Sequence, residues 1–126
     1  MRETLGWYKE QWLDIDKILI SAINRGLKFG DGIFETILIK KNKPILFDEH
    51  LKRLEKSSKL LDINLKINEL TLKKLINDGI KKLSLKNDQF ASVRINYSRG
   101  TNKGRTLRID STLETKNLAN LSLEFY

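Results

Sequence analysis

The chain changes its hydrophobic period once between residues 30 and 61, and that change fixes most of what it can fold into. Gly30-Asp31-Gly32 sets two glycines around an aspartate, a turn that needs positive φ or close approach to another segment. Residues 33–40 (IFETILIK) follow as a strand rich in β-branched and aromatic side chains. Lys41-Asn42-Lys43 turns the chain, and residues 44–47 (PILF) read as a short return strand, with Pro44 fitting only at its start or on an edge. From Asp48 the period becomes helical. Asp48 is placed to cap a helix over residues 49–61 (EHLKRLEKSSKLL), whose Leu51, Leu54, Ser58 and Leu61 face a core. His50, Arg53 and Ser57 lie on the strip beside that face. An arginine at such a border either snorkels to solvent or is drawn inward by an anion, and spacing leaves both open.

Ahead of the turn, residues 5–8 read as a strand, 9–11 as a turn, and the next residues as a second short strand running into a loop at 14–17. Trp7 and Trp12 read as core or interface packing rather than ligand platforms. Beyond the first helix, residues 62–67 alternate as an extended linker. Asn68 caps a second helix, with Leu72, Leu75, Ile76, Ile80 and Leu83 on its apolar face, running to about Leu85. Gly79 inside it costs about 1 kcal/mol relative to alanine, which predicts a close contact or a frayed end there. Residues 90–98 (FASVRINYS) form a strand with Ala91, Val93, Ile95 and Tyr97 inward and Arg94 and Asn96 on the other side. Residues 107–113 and 118–126 read as further strands, the last alternating Leu121, Leu123 and Phe125. The order of elements predicts an α+β fold: a mostly antiparallel sheet with two helices packed on one face, in a single domain over residues 1–126.

Composition narrows the chemistry. The absence of cysteine excludes disulfides and thiolate metal sites, and a single histidine argues against a His-based metal site or triad. The net charge of +8 raises nucleic-acid binding. However, the lysines are spread along helices and turns among sixteen acidic residues, so no binding stripe forms and no nucleic-acid partner is expected. No apolar run reaches membrane-span length and the start lacks the apolar stretch of a signal peptide, so the expected compartment is the cytoplasm.

The string R-G-x-x-F-G-D-G-x-F-E-T over residues 25–36, then a hairpin, then E-H-L-x-R-L-x-x-S, resembles the amino-terminal domain of the fold-type IV (class IV) pyridoxal-phosphate enzymes. That family includes branched-chain aminotransferases, D-amino-acid aminotransferases and aminodeoxychorismate lyases. The resemblance runs from about residue 7 to 105 and is strongest from Arg25 to Leu61. Asn24 stands where the family often has aspartate, which leaves the hydrogen bonding of that turn open.

The resemblance implies pyridoxal 5′-phosphate as cofactor, homodimers with active sites near the subunit boundary, and an amino acid, 2-oxo acid or chorismate-derived substrate. By the same match, Arg53 neutralises the cofactor phosphate, Phe34 lines the substrate pocket and His50 is a supporting contact. Arg94 occupies a place where branched-chain members carry an arginine near the substrate; read from the strand alone it is solvated or ion-paired. The loop Ser98-Arg99-Gly100 through Arg105 is similar to the S-R-G-x-x-x-R segment of the D-amino-acid and lyase branches, one residue longer. Arg105 is then the carboxylate-binding arginine, with Lys103 as the alternative, because a guanidinium fork matches a carboxylate. On its own the loop reads equally as a solvated basic turn. No lysine of this chain stands in a motif matching the Schiff-base lysine, which is expected beyond Tyr126 in a carboxyl-terminal domain; the polypeptide alone is expected not to catalyse transamination or lyase chemistry. The alternative is a non-catalytic binding module for an acidic ligand.

Overall fold

The computed structural model describes residues 4–101 and 121–126. Two tight hairpins open the architecture. Strands β1 (Leu5–Tyr8) and β2 (Gln11–Leu13) are joined by Lys9 and Glu10, at φ 49° and 63°. Strands β3 (Gly32–Lys40) and β4 (Lys43–Pro44) are joined by Lys41 and Asn42, at φ 50° and 59°. Two consecutive left-handed residues give the turn whose twist matches that of the flanking strands. Both turns are one residue tighter than the sequence suggests, because Gln11 and Lys43 already pair, with Tyr8 and Lys40.

The first long helix corrects the expected boundary. The return strand ends at Pro44, Ile45 N–H donates to the Leu38 carbonyl at 2.8 Å, and Leu46 then swings to φ 56° to start helix α2, Phe47–Leu60. (Residues 25–29 form the shorter α1, described below.) Asp48 is therefore not the cap. It sits with Glu49 in the first turn, where a negative charge faces the positive end of the helix. Phe47 takes the first core position, followed by Leu51, Leu54 and Ser58, while Leu61 lies beyond the helix and is half exposed.

Helix α3 (Glu69–Leu83) starts as its sequence requires, with Asn68 Oδ1 accepting from Thr71 N–H at 2.8 Å. It ends at Leu83, short of Leu85, because Ser84 turns left-handed at φ 53°. A β-carbon on Gly79 would lie 2.2 Å from Phe125 Cζ, so the glycine lets the helix settle directly on the sheet. Strands β5 (Phe90–Ser98) and β6 (Leu121–Phe125) complete an antiparallel sheet in the order β2-β1-β6-β5-β3-β4. The predicted strand at 107–113 lies outside the described residues.

Strand parity divides this sheet cleanly. One face carries Leu5, Trp7, Ile37, Ile39, Val93, Ile95, Tyr97, Leu121, Leu123 and Phe125, all buried beneath α2 and α3. Trp12 packs on Phe125 with ring centroids 5.9 Å apart. The opposite face carries Phe34, Arg94, Asn96 and Glu124, and among the described residues no long helix covers it. This is the predicted α+β arrangement, with two helices on one face. Among the described residues no helix is long and apolar enough to cross a membrane.

Candidate active site

The Gly-Asp-Gly turn is built by a short helix that periodicity does not reveal. Residues Arg25–Phe29 form α1, capped by Asn24, whose Oδ1 accepts from Gly26 N–H at 2.8 Å. Asparagine thus provides the capping oxygen at this position. Gly30 closes the helix at φ 64°, and Gly32 runs close to β5: a β-carbon there would lie 3.0 Å from the Tyr97 carbonyl. The two glycines meet the two requirements, one each.

Asp31 between them ties the turn to the end of β5. Its Oδ2 accepts from Arg25 Nε at 2.7 Å and from Arg99 Nε at 2.8 Å. Arg99 also donates to the carbonyls of Asp62 and Leu61, past the end of α2. Burial pushes the Asp31 carboxyl up, but the hydrogen bonds from Arg99 and Arg25 outweigh it and hold the group below its ordinary range. This carboxylate locks the pocket wall to the sheet.

Phe34 and Glu35 then point to opposite sides of β3. On the helix-covered side, Glu35 is 5% exposed and accepts from Arg53 Nε at 2.6 Å and Nη2 at 2.7 Å. His50 Nδ1 lies 2.8 Å from Oε2, a contact that requires its proton to sit on Nδ1. The Arg53 hydrogen bonds, with help from His50, overcome burial and lower the Glu35 carboxyl below its usual range. Arg53 is raised in turn. Its side chain remains 66% exposed, so the guanidinium is gripped on one edge and open on the other. Arg53 thus stays largely in solvent, as the snorkelling alternative has it, while an acid of the fold holds one of its edges.

On the open side, Phe34 and Arg94 line a pocket of about 410 Å³ whose wall is α1. The Arg94 guanidinium carbon sits 3.9 Å from the Phe34 ring centroid, a cation–π stack. Arg94 Nε donates to Asn96 Oδ1 at 2.7 Å. Among the described residues Arg94 forms no ion pair, so its remaining N–H groups suit an incoming carboxylate. The structure brings Phe34 and Arg94 together and places Arg53 across the sheet from them. Arg105 and Lys103 lie outside the described residues.

Glu35 escaped the sequence reading, although a signal was present. It is an acid at an inward position of a strand otherwise filled by Ile33, Ile37 and Ile39, and such an acid needs a cation. Glu124 and Tyr126 escaped it too, because nothing local in β6 shows which strand lies alongside.

Residues 32–121 match the family model for class IV amino-transferases, and the chain belongs to that family. Over 90 residues it is 30% identical to the aminodeoxychorismate lyase of Bacillus subtilis, covering 71% of this chain and 30% of that protein. In fold it is similar to a branched-chain aminotransferase of Thermoproteus uzoniensis solved with norvaline (TM-score 0.74, 15% identity, 97% of this chain and 39% of that one). It is also similar to a hypothetical aminotransferase of Mycobacterium tuberculosis solved in a PLP-bound form (TM-score 0.72, 21% identity, 98% and 39%). The chain spans under a third of the length of the curated relatives it matches.

Proposed function

We propose that this chain is the amino-terminal part of a cytoplasmic, pyridoxal-phosphate-dependent class IV aminotransferase or aminodeoxychorismate lyase-like enzyme, with Arg53 on the cofactor phosphate and Phe34 and Arg94 on the substrate. The observation that carries the reading is the outer edge of β3. Among the described residues this edge is paired only near its end, through Leu38 to Lys40. The stretch around Phe34 and Glu35 is left open there, with one fixed arginine on each side of the sheet.

The donor set suits a phosphate. Arg53 is held by Glu35 in one orientation, and its free edge is the kind of preorganised cation that recognises a phosphate monoester. Glu35 offsets part of that charge, so a dianionic phosphate needs further donors from elsewhere. Pyridoxal phosphate, when bound, supplies the electron sink for bond cleavage at the substrate amine carbon. The part of this chain is to orient: Arg53 fixes the phosphate, Arg94 receives a substrate carboxylate, the Phe34 ring excludes water beside it, and Arg105 is a second carboxylate contact. The cofactor-bearing lysine is assigned to a second domain, so these residues alone are expected to bind without turnover. Family membership favours this reading over a stand-alone module for an acidic ligand.

We propose a homodimer as well. Phe34, Leu38 and Phe90 leave apolar surface on the open face, and sedimentation of the 14.7 kDa chain should show self-association. A monodisperse monomer would count against it.

Binding tests the cofactor assignment. Pyridoxal 5′-phosphate should bind the chain more tightly than pyridoxal, which lacks the phosphate. Arg53→Ala should abolish that preference, and Arg53→Lys should restore part of it. Equal affinity for the two compounds in the wild-type chain would remove Arg53 from the cofactor site.

A further inference from the structure

The pocket floor contains a hydrogen-bonded chain that the reading above does not use. Asn96 is two residues from Arg94 on the same face of β5, and Glu124 is the cross-strand partner of Arg94 on β6. Arg94 Nε donates to Asn96 Oδ1 at 2.7 Å. Asn96 Nδ2 donates in turn to Glu124 Oε1 at 3.1 Å and to Ser122 Oγ at 3.3 Å. Tyr126 O–H donates to the other Glu124 oxygen at 2.8 Å.

The polarity of this chain is forced. Arg94 Nε can only donate, so Asn96 must turn its oxygen toward it; the amide nitrogen then needs acceptors, which Glu124 Oε1 and Ser122 Oγ provide. Each member fixes the orientation of the next. The result is one rotamer of a long side chain that is rich in rotamer entropy when free. In that rotamer the guanidinium carbon sits over the Phe34 ring. Glu124 itself does not ion-pair with Arg94, so the arginine keeps its charge available to a ligand.

We infer that Asn96 and Glu124 are positioning residues that lock Arg94 over Phe34 as a preformed receiver for a substrate carboxylate. The inference rests on the proposed substrate role of Arg94. Locking lowers the ordering cost at binding, so the relay contributes to affinity without touching the ligand.

Two readouts on the full chain test it. The first is solvent exchange of the Arg94 Nε–H, followed by NMR. It should be slow in the wild type, become fast in Asn96→Ala and Glu124→Ala, and be slow again in Glu124→Gln, which keeps an acceptor for Asn96 without the charge. The second is affinity for pyruvate as a probe carboxylate, with pyruvamide as the uncharged comparison. Pyruvate should bind about 3- to 10-fold more weakly to Asn96→Ala and Glu124→Ala, the scale of one lost hydrogen bond. On an Arg94→Ala background Asn96→Ala should change nothing further. The inference is overturned if exchange is unaltered in Asn96→Ala, or if Asn96→Ala weakens pyruvate equally with and without Arg94. If exchange follows the expected pattern while pyruvate ignores even the wild type, the locking of Arg94 is supported and the substrate reading is the part that fails.

Discussion

Phe34 and Glu35 are neighbours in β3 and serve opposite faces of the sheet: the Phe34 ring lies 3.9 Å from the Arg94 guanidinium carbon, and the Glu35 carboxylate grips Arg53 at 2.6 and 2.7 Å. A single dipeptide therefore fixes two arginines on the two sides of an open strand edge. That follows from the period-two alternation of a strand, and a slip of one residue in register would exchange the faces of both.

The same carboxylates set the acid stability. Asp31 and Glu35 both titrate below their ordinary range in the folded chain. A depressed folded pKa stabilises the fold above the unfolded value, about 4 for a carboxylate, and the contribution is lost as pH falls through the lower folded value. Urea midpoints should therefore fall steeply below about pH 4, and the double variant Asp31→Asn/Glu35→Gln should start lower at neutral pH and show a shallower acid slope. An unchanged slope would mean that neither carboxylate is held by its arginines.

Gly79 should not tolerate alanine. The gain in helix propensity is about 1 kcal/mol, whereas overpacking a core contact costs about 1–3 kcal/mol or more. Here the added carbon would meet the fully buried Phe125 ring at 2.2 Å, so the clash wins and Gly79→Ala lowers the unfolding free energy. Phe125→Leu should reduce the penalty of Gly79→Ala, read as a coupling in urea denaturation. Equal penalties in both backgrounds would contradict the contact.

Leu46 is a site where the chain can be made more stable. It is 62% exposed and adopts φ 56° with no side-chain capping bond, a conformation that costs a residue bearing a β-carbon about 1–2 kcal/mol. Leu46→Gly should raise the unfolding free energy by about 1 kcal/mol, since little buried surface is lost. A loss of stability on thermal or urea unfolding would show that Leu46 contributes packing instead.

The legible parts of this fold are those with a repeated local signal. Alternation over residues 90–98 assigns Arg94 and Asn96 to the face opposite Val93 and Ile95, and the structure agrees. Asn68 and Gly79 were readable because a cap and a helix-breaking residue each carry a local physical reason. Helix α1 was not legible: five residues, RGLKF, are too few to show a helical period, and its cap and closing glycine read equally as a turn. The sequence puts the cap of α2 at Asp48, a better capping residue than Leu46. The hairpin hydrogen bond at Ile45 overrode that preference. Arg53 and Arg99 find Glu35 and Asp31 18 and 68 residues away, Arg94 stacks on Phe34 of another strand, and such pairings follow from sheet register, which no local pattern specifies.

The most direct test of the central claim is a crystal structure of the chain grown with pyridoxal 5′-phosphate and pyruvate. The account predicts the phosphate within hydrogen-bond distance of the open edge of Arg53, about 2.7–2.9 Å, with Glu35 still holding the other edge, and a carboxylate on Arg94 above Phe34. A phosphate seated elsewhere, with Arg53 bonded to Glu35 alone and facing bulk solvent, would contradict it.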